Sequence, residues 1–222
     1  MENRENTEPV ISVRKLNLRF KDNQVLKDVS ADFYQGIIYG IIGRNGSGKT
    51  VLLKNMIGVL SPDSGTVSVR QKVVGKDIDF PDHTGFIIET PGFFMNCSGY
   101  KNLKYLASIR GIAGEKEVRH AMEVVGLDPD EKKHVGRYSL GMRQRLGIAQ
   151  AIMEDPDILI LDEPMNSLDE QGVEDMRALF LSLKAKGKLL IITSHYKEDI
   201  EALCDVVYRM SRGVLTEASV EG

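Results

Sequence analysis

A chain of 222 residues with a net charge of −3 and an isoelectric point near 5.9 can bury about 70% of its unfolded surface, enough for one substantial core or two closely joined lobes. The charge balance, without a Lys/Arg block interleaved with aromatics, argues against a nucleic-acid partner. Cys97 and Cys204 are far apart in sequence and outside any metal-ligand spacing, which fits thiols kept reduced as small apolar residues. The apolar runs, such as those at 158–161 and 189–192, fall far short of the ~20 residues that cross a bilayer. The polar start MENRENTEP lacks the apolar stretch of a secretory signal, so residence in the cytosol is expected.

Along the chain, Val10 to Phe20 alternates apolar and polar residues like a half-exposed strand, residues 21–23 supply a turn, and Val25 to Tyr34 alternates again. The continuous apolar run at 37–42 reads as a strand buried on both faces, and hence as part of a parallel central sheet. It ends in the pattern G-x-x-x-x-G-K-T from Gly43 to Thr50. Gly43, Gly46 and Gly48 free the backbone so that successive N–H groups, those of Arg44, Asn45 and Ser47 included, can converge on phosphate oxygens. Lys49 adds charge and Thr50 a hydroxyl for Mg²⁺. The helix expected to start near Gly48 and to run to the turn at 61–65 aims its dipole at the same anion.

Strands follow at 66–69 and at 86–88, the latter closed by Glu89. From about Gly92 to Met153 the periodicity becomes helical, and an α/β texture returns with the strand at 158–161, a helix, the strand at 188–195, a short helix and closing strands near 206–218. The expected organisation is one composite α/β domain over 1–222. Its core comprises 1–91 and 154–222, and its helical insert 92–153. The run at 158–161 delivers Asp162 and Glu163 to the carboxyl edge of a parallel sheet, where the phosphate loop also lies. There Asp162 can hold Mg²⁺ through water and Glu163 can orient or deprotonate an attacking water. Phe93 and Phe94, in the Pro-Gly turn after Glu89, either plug a local core or form a docking groove.

With the segment Tyr138 to Ile152 the chain resembles the ATP-binding subunits of ABC transporters. Ser139 and Gly141 match that family's signature at a helix start, while Tyr138, Leu140 and Met142 stand where many members carry Leu, Gly and Gln. Read alone, Ser139 is a helix N-cap. The resemblance implies a P-loop NTPase fold of the ABC type, with a mostly parallel core sheet, an antiparallel β edge and an inserted helical subdomain. It also implies ATP and Mg²⁺ as ligands and ATP hydrolysis. Two copies would sandwich ATP head to tail, each signature (Ser139, Gly141, Met142) closing the other's phosphate loop.

In family order, Phe20 and Val25 resemble the adenine platform, although Phe20 reads equally as core. Asp169, at the end of Ser167-Leu168-Asp169, resembles the dimer-contact residue and also reads as an N-cap. His195 resembles the switch histidine at the γ-phosphate. Glu89 replaces the usual glutamine, as a metal ligand or as a coupling residue. With TPGFF and YSLGM it gives the chain its likeness to the bacitracin and lantibiotic self-protection exporters. A separate membrane permease is the implied partner, with the chain peripheral on the inner face of the cell membrane. A soluble ABC-type ATPase that remodels a cytosolic assembly, or a P-loop kinase, are the alternatives.

Overall fold

The computed structural model describes residues 8–89 and 92–218. The polar start at 1–7, Thr90 and Pro91 of the Pro-Gly turn, and 219–222 lie outside the described residues. Strands β1 (Ile11–Phe20) and β2 (Asn23–Phe33) pair as an antiparallel hairpin, and β4 (Ser64–Val69) and the two-residue β5 (Lys72–Val73) extend them into a sheet of order β2-β1-β4-β5. A second sheet holds six strands. It is built from β3 (Ile38–Ile42), β6 (Thr84–Ile87), β7 (Ile158–Leu161), β8 (Leu189–Thr193), β9 (Val206–Ser211) and β10 (Val214–Ala218), in the order β10-β9-β3-β8-β7-β6. From β9 to β6 every pairing is parallel, and β10 closes the edge antiparallel.

The central strands carry apolar residues at every position because both faces are covered, and successive side chains point to opposite faces. Ile158 and Ile160 join Tyr39, Ile41 and Phe33 in a core shared with the antiparallel sheet and with α1 (Lys49–Met56). Leu159 and Leu161 face the other way, into a core with Leu146, Met176 and Phe180. That second core is closed by the helices α2 (Gly99–Arg110), α3 (Glu115–Val124), α4 (Leu140–Ile152), α5 (Glu170–Ala185) and α6 (Lys197–Leu203). Sequence periodicity extends the helix after the phosphate loop to about residue 60, whereas α1 stops at Met56. Gly58, in the left-handed region at φ 83, turns the chain there, and a side chain on it would meet the Asp79 carbonyl at 2.1 Å.

The two neighbouring phenylalanines have opposite fates. Phe93 packs against the helical core. Phe94 is 56% exposed, with its ring edge-on to Tyr105 at 5.3 Å and its backbone clamped by the Asn102 side chain, which accepts from Phe94 N at 2.7 Å and donates to its carbonyl at 3.1 Å.

Strand β6 meets α4 at the closest approach between sheet and helical insert. A methyl group on Gly85 would lie 1.9 Å from the Ala151 carbonyl oxygen. Gly85→Ala is therefore expected to push α4 away from β6 and cost about 1–3 kcal/mol, a fall in Tm of roughly 2–10 °C for a chain of this size. Thermal unfolding followed by circular dichroism checks it, and an unchanged Tm would show that the helix is free to shift.

Candidate active site

Three strand ends and one helix start bring the site together. The phosphate loop leaves β3, and two of its glycines stand where side chains have no room. Gly43, at φ 157, would place a methyl 2.3 Å from the Met210 carbonyl, and Gly48, at φ 113, one 2.9 Å from the Val25 carbonyl. The first α1 residue, Lys49, is 5% exposed and donates to the Gly43 carbonyl at 2.7 Å. Burial pulls its ammonium below the usual lysine range, and the nearby Glu163 and Asp162 carboxylates partly oppose this. Ser47 Oγ is buried without a hydrogen-bond partner among the described residues, an unmet polar group on the loop where an anion would sit.

Asp162 follows β7 and accepts two hydroxyl protons, from Thr50 Oγ1 at 2.7 Å and from Thr193 Oγ1 at 2.6 Å. Thr193, fully buried at the end of β8, also accepts from Glu163 N at 2.8 Å, so one hydroxyl fixes both carboxylate residues. Glu163 lies in the left-handed region at φ 50, as does Ser167 at φ 66, a conformation that non-glycine residues adopt mostly where surroundings impose it. Its carboxylate is held from both sides, by His195 Nε2 and by Asn166 Nδ2. Gln144 of α4 donates to the carbonyls of Glu163 at 3.3 Å and Pro164 at 2.9 Å, tying the helical insert to the carboxylate loop.

The oxygen set fits Mg²⁺. Among the described residues no group of three or more His, Cys, Asp or Glu is arranged to hold a metal. The carboxylate–hydroxyl pair of Asp162 and Thr50 beside a phosphate loop suits an ion that keeps waters and shares its shell with phosphates rather than one needing an all-protein cage. The Glu89 carboxylate, two residues beyond β6, pairs with Lys54 Nζ of α1 at 2.6 Å.

Around the phosphate loop a cleft of about 900 Å³ is lined by Gly43, Arg44, Asn45, Gly46, Ser47 and His195, among others. Phe20, half exposed at the end of β1, and Val25 belong to the hairpin tip, whose Val25 carbonyl packs against Gly48. The signature residues are not in this cleft. Ser139, Gly141 and Met142 line a second one of about 910 Å³ with Ser167, Leu168 and Asp169. Ser139 caps α4 by accepting from Met142 N at 3.1 Å, and Asp169 caps α5 by accepting from Gly172 N at 3.0 Å. Gly141 has no room for a side chain, because the Ser167 carbonyl would lie 2.8 Å from it. Tyr138, a departure from the common signature, is buried against the start of α2, and burial pushes its phenol up. Leu140 is 68% exposed, a large apolar side chain left open at the mouth of the second cleft.

Sequence reasoning missed Thr193, Asn166, Gln144 and Lys54. Thr193 and Gln144 fall inside stretches already singled out, yet nothing local marks their hydroxyl and amide as ties, Asn166 lies between two such stretches, and Lys54 reads as an exposed helix position.

The family model described as ABC transporter matches residues 26–166. An uncharacterized ABC transporter ATP-binding protein of Bacillus subtilis is 43% identical over 93% of this chain and 94% of its own length. A bacitracin transport ATP-binding protein of Enterococcus faecalis is 41% identical over 95% of this chain and 69% of its own. The solved dimeric structure of a bacterial ABC transporter cassette superposes with a TM-score of 0.84 at 20% identity, over 96% of this chain and 99% of that one. With the phosphate loop, the carboxylate pair and the signature helix in one fold, the chain belongs to the ABC transporter family as an ATP-binding subunit, an ATPase of the ABC type.

Proposed function

We propose that this chain is the motor of an exporter: two copies close head to tail around ATP and Mg²⁺, and closure and hydrolysis drive a separate membrane permease. The carrying observation is that the phosphate-loop cleft and the signature cleft share no lining residue, which supports a reading in which each signature meets the phosphate loop of a second copy. In a two-fold dimer each patch meets the other's counterpart, giving two equivalent composite sites. The cargo we infer is a peptide antibiotic or other drug-like compound carried outward. The likeness to the bacitracin transport protein and the acid at position 89 support this. The chain would work peripherally on the cytoplasmic face of the membrane. Among the described residues no helix is long and apolar enough to cross it. Residues 1–91 and 154–222 act as the ATP-binding core and 92–153 as the signature-bearing lobe of one domain.

In this reading the N–H groups from Gly43 to Thr50 and the Lys49 ammonium hold the β- and γ-phosphates, and Phe20 with Val25 supports the adenine. Thr50 and Asp162 would hold Mg²⁺, which supplies charge neutralisation at the phosphates when bound. Glu163 takes the proton of the attacking water, and His195 fixes the Glu163 carboxylate and orients the γ-phosphate. Ser139 and Gly141 of the second copy, with the N-terminus of its α4, complete the anion site. Most of the rate enhancement then comes from positioning and charge stabilisation.

Glu163→Gln keeps the shape of the side chain and loses the base. Hydrolysis should fall by roughly 10²–10⁴ while ATP binding stays near normal, and light scattering should then find an ATP-dependent dimer. Turnover at the wild-type rate would remove Glu163 from the chemistry.

The exposed Phe94–Tyr105 pair is the proposed docking point for the permease. Phe94→Asp should leave the thermal unfolding midpoint unchanged and abolish capture of the chain by membranes containing the permease. Phe93→Asp, by contrast, should destabilise the isolated chain, because it buries a charge in the helical core. A lowered midpoint for Phe94→Asp would assign that ring to the core as well.

A further inference from the structure

The Lys54–Glu89 ion pair has no part in the mechanism above, yet it sits on α1, the helix that begins at the phosphate loop. Thr50 and Lys54 are four residues apart on α1, so they share one face about one turn, roughly 5.4 Å, apart. From that face Thr50 reaches Asp162 at the end of β7, and Lys54 reaches Glu89. Glu89 lies two residues beyond β6, the strand next to β7 with Ile87 opposite Leu161. The Asp162 and Glu89 carboxylates are thus delivered by adjacent strand ends to adjacent turns of the helix that begins the phosphate site. Glu89 takes the left-handed region at φ 59, and its side chain is 63% exposed against 23% for that of Lys54. An ion pair this open contributes little to folding. Its effect lies in the local field.

We propose that Lys54 is a positioning residue for nucleotide binding: its ammonium draws the Glu89 carboxylate onto α1 and cancels its charge beside the triphosphate. The proposal rests on the ATP-binding reading of the site. Without Lys54, a full negative charge would face the polyphosphate from about one helical turn away. In near-aqueous surroundings such a charge shifts a binding equilibrium by roughly threefold. The same bared carboxylate would attract a divalent cation, so the penalty should shrink when Mg²⁺ is present.

The experiment is equilibrium binding of a fluorescent ATP analogue, with and without Mg²⁺, to the wild type, Lys54→Gln, Glu89→Gln and the double variant. Lys54→Gln is expected to weaken metal-free binding about threefold and to lower, by a similar factor, the Mg²⁺ concentration at which binding is half restored. Glu89→Gln, which leaves the ammonium uncancelled, should tighten metal-free binding by a similar factor, the double variant, which removes both charges, should bind as wild type, and Lys54→Arg should behave as wild type. A double variant as weak as Lys54→Gln, with Glu89→Gln alone unchanged, would mean that Lys54 attracts the phosphates itself and that Glu89 exerts no field there. No change in either single variant would mean that the pair has no electrostatic role, and each of these results overturns the proposal. If Lys54→Gln does not fold, Lys54→Met, which keeps the aliphatic stem, serves the same comparison. A wild-type chain that fails to bind the analogue would remove the ATP-binding reading instead.

Discussion

Asp162 accepts hydroxyl protons from Thr50 and Thr193 at once, and the rest of the site depends on that pair of hydrogen bonds. Through it the first turn of α1 is tied to the ends of β7 and β8, so the phosphate loop cannot move independently of the strand that carries the carboxylates. The strand order makes the tie possible. Because β3, β8, β7 and β6 run parallel, their carboxyl ends open on one edge, and residues separated by more than a hundred positions in sequence meet there. The hydroxyl of Thr193 has a second duty at Glu163 N, which sets the direction in which the next carboxylate leaves the sheet.

A second constraint links the two halves of the chemistry. α4 begins at the signature cleft with Ser139, passes Gln144, which holds the carboxylate loop, and ends near Ala151, whose carbonyl packs on Gly85 of β6. A displacement of the signature end therefore acts on the backbone of Glu163 through one side chain and on the central sheet through one close contact. The carboxylate loop reaches the signature cleft from its other end as well, where the Ser167 carbonyl lies against Gly141. Two left-handed non-glycine residues, Glu163 and Ser167, bound the stretch between these contacts, as expected where packing overrides local preference.

What could be read from sequence was local. The phosphate loop declares itself in eight consecutive residues, and Asp162 and Glu163 stand out because an apolar strand ends on two acids. The two caps, Ser139 and Asp169, followed from residue type and position. The continuous apolar run at 37–42, which forms β3, correctly implied a parallel central sheet. What stayed hidden was set by distance along the chain. Glu89 and Lys54 are 35 positions apart, and no spacing rule pairs them. Phe93 and Phe94 are chemically identical neighbours, and the turn at 94–97 and the clamp from Asn102 decide which of them enters the core. The early end of α1 was misread because Ile57, Val59 and Leu60 continue the apolar pattern past the point where Gly58 takes the left-handed region.

The central claim is that one chain carries two incomplete halves of each ATP site and needs a second copy to join them. Mixing two disabled chains tests this most directly: Lys49→Ala, which has lost its phosphate loop and keeps its signature, and Ser139→Arg, which has the reverse. Each alone should be inactive, and the mixture should recover hydrolysis well above the sum of the two, because a mixed dimer holds one intact composite site. A mixture no more active than its components, with mixed dimers present, would contradict the account.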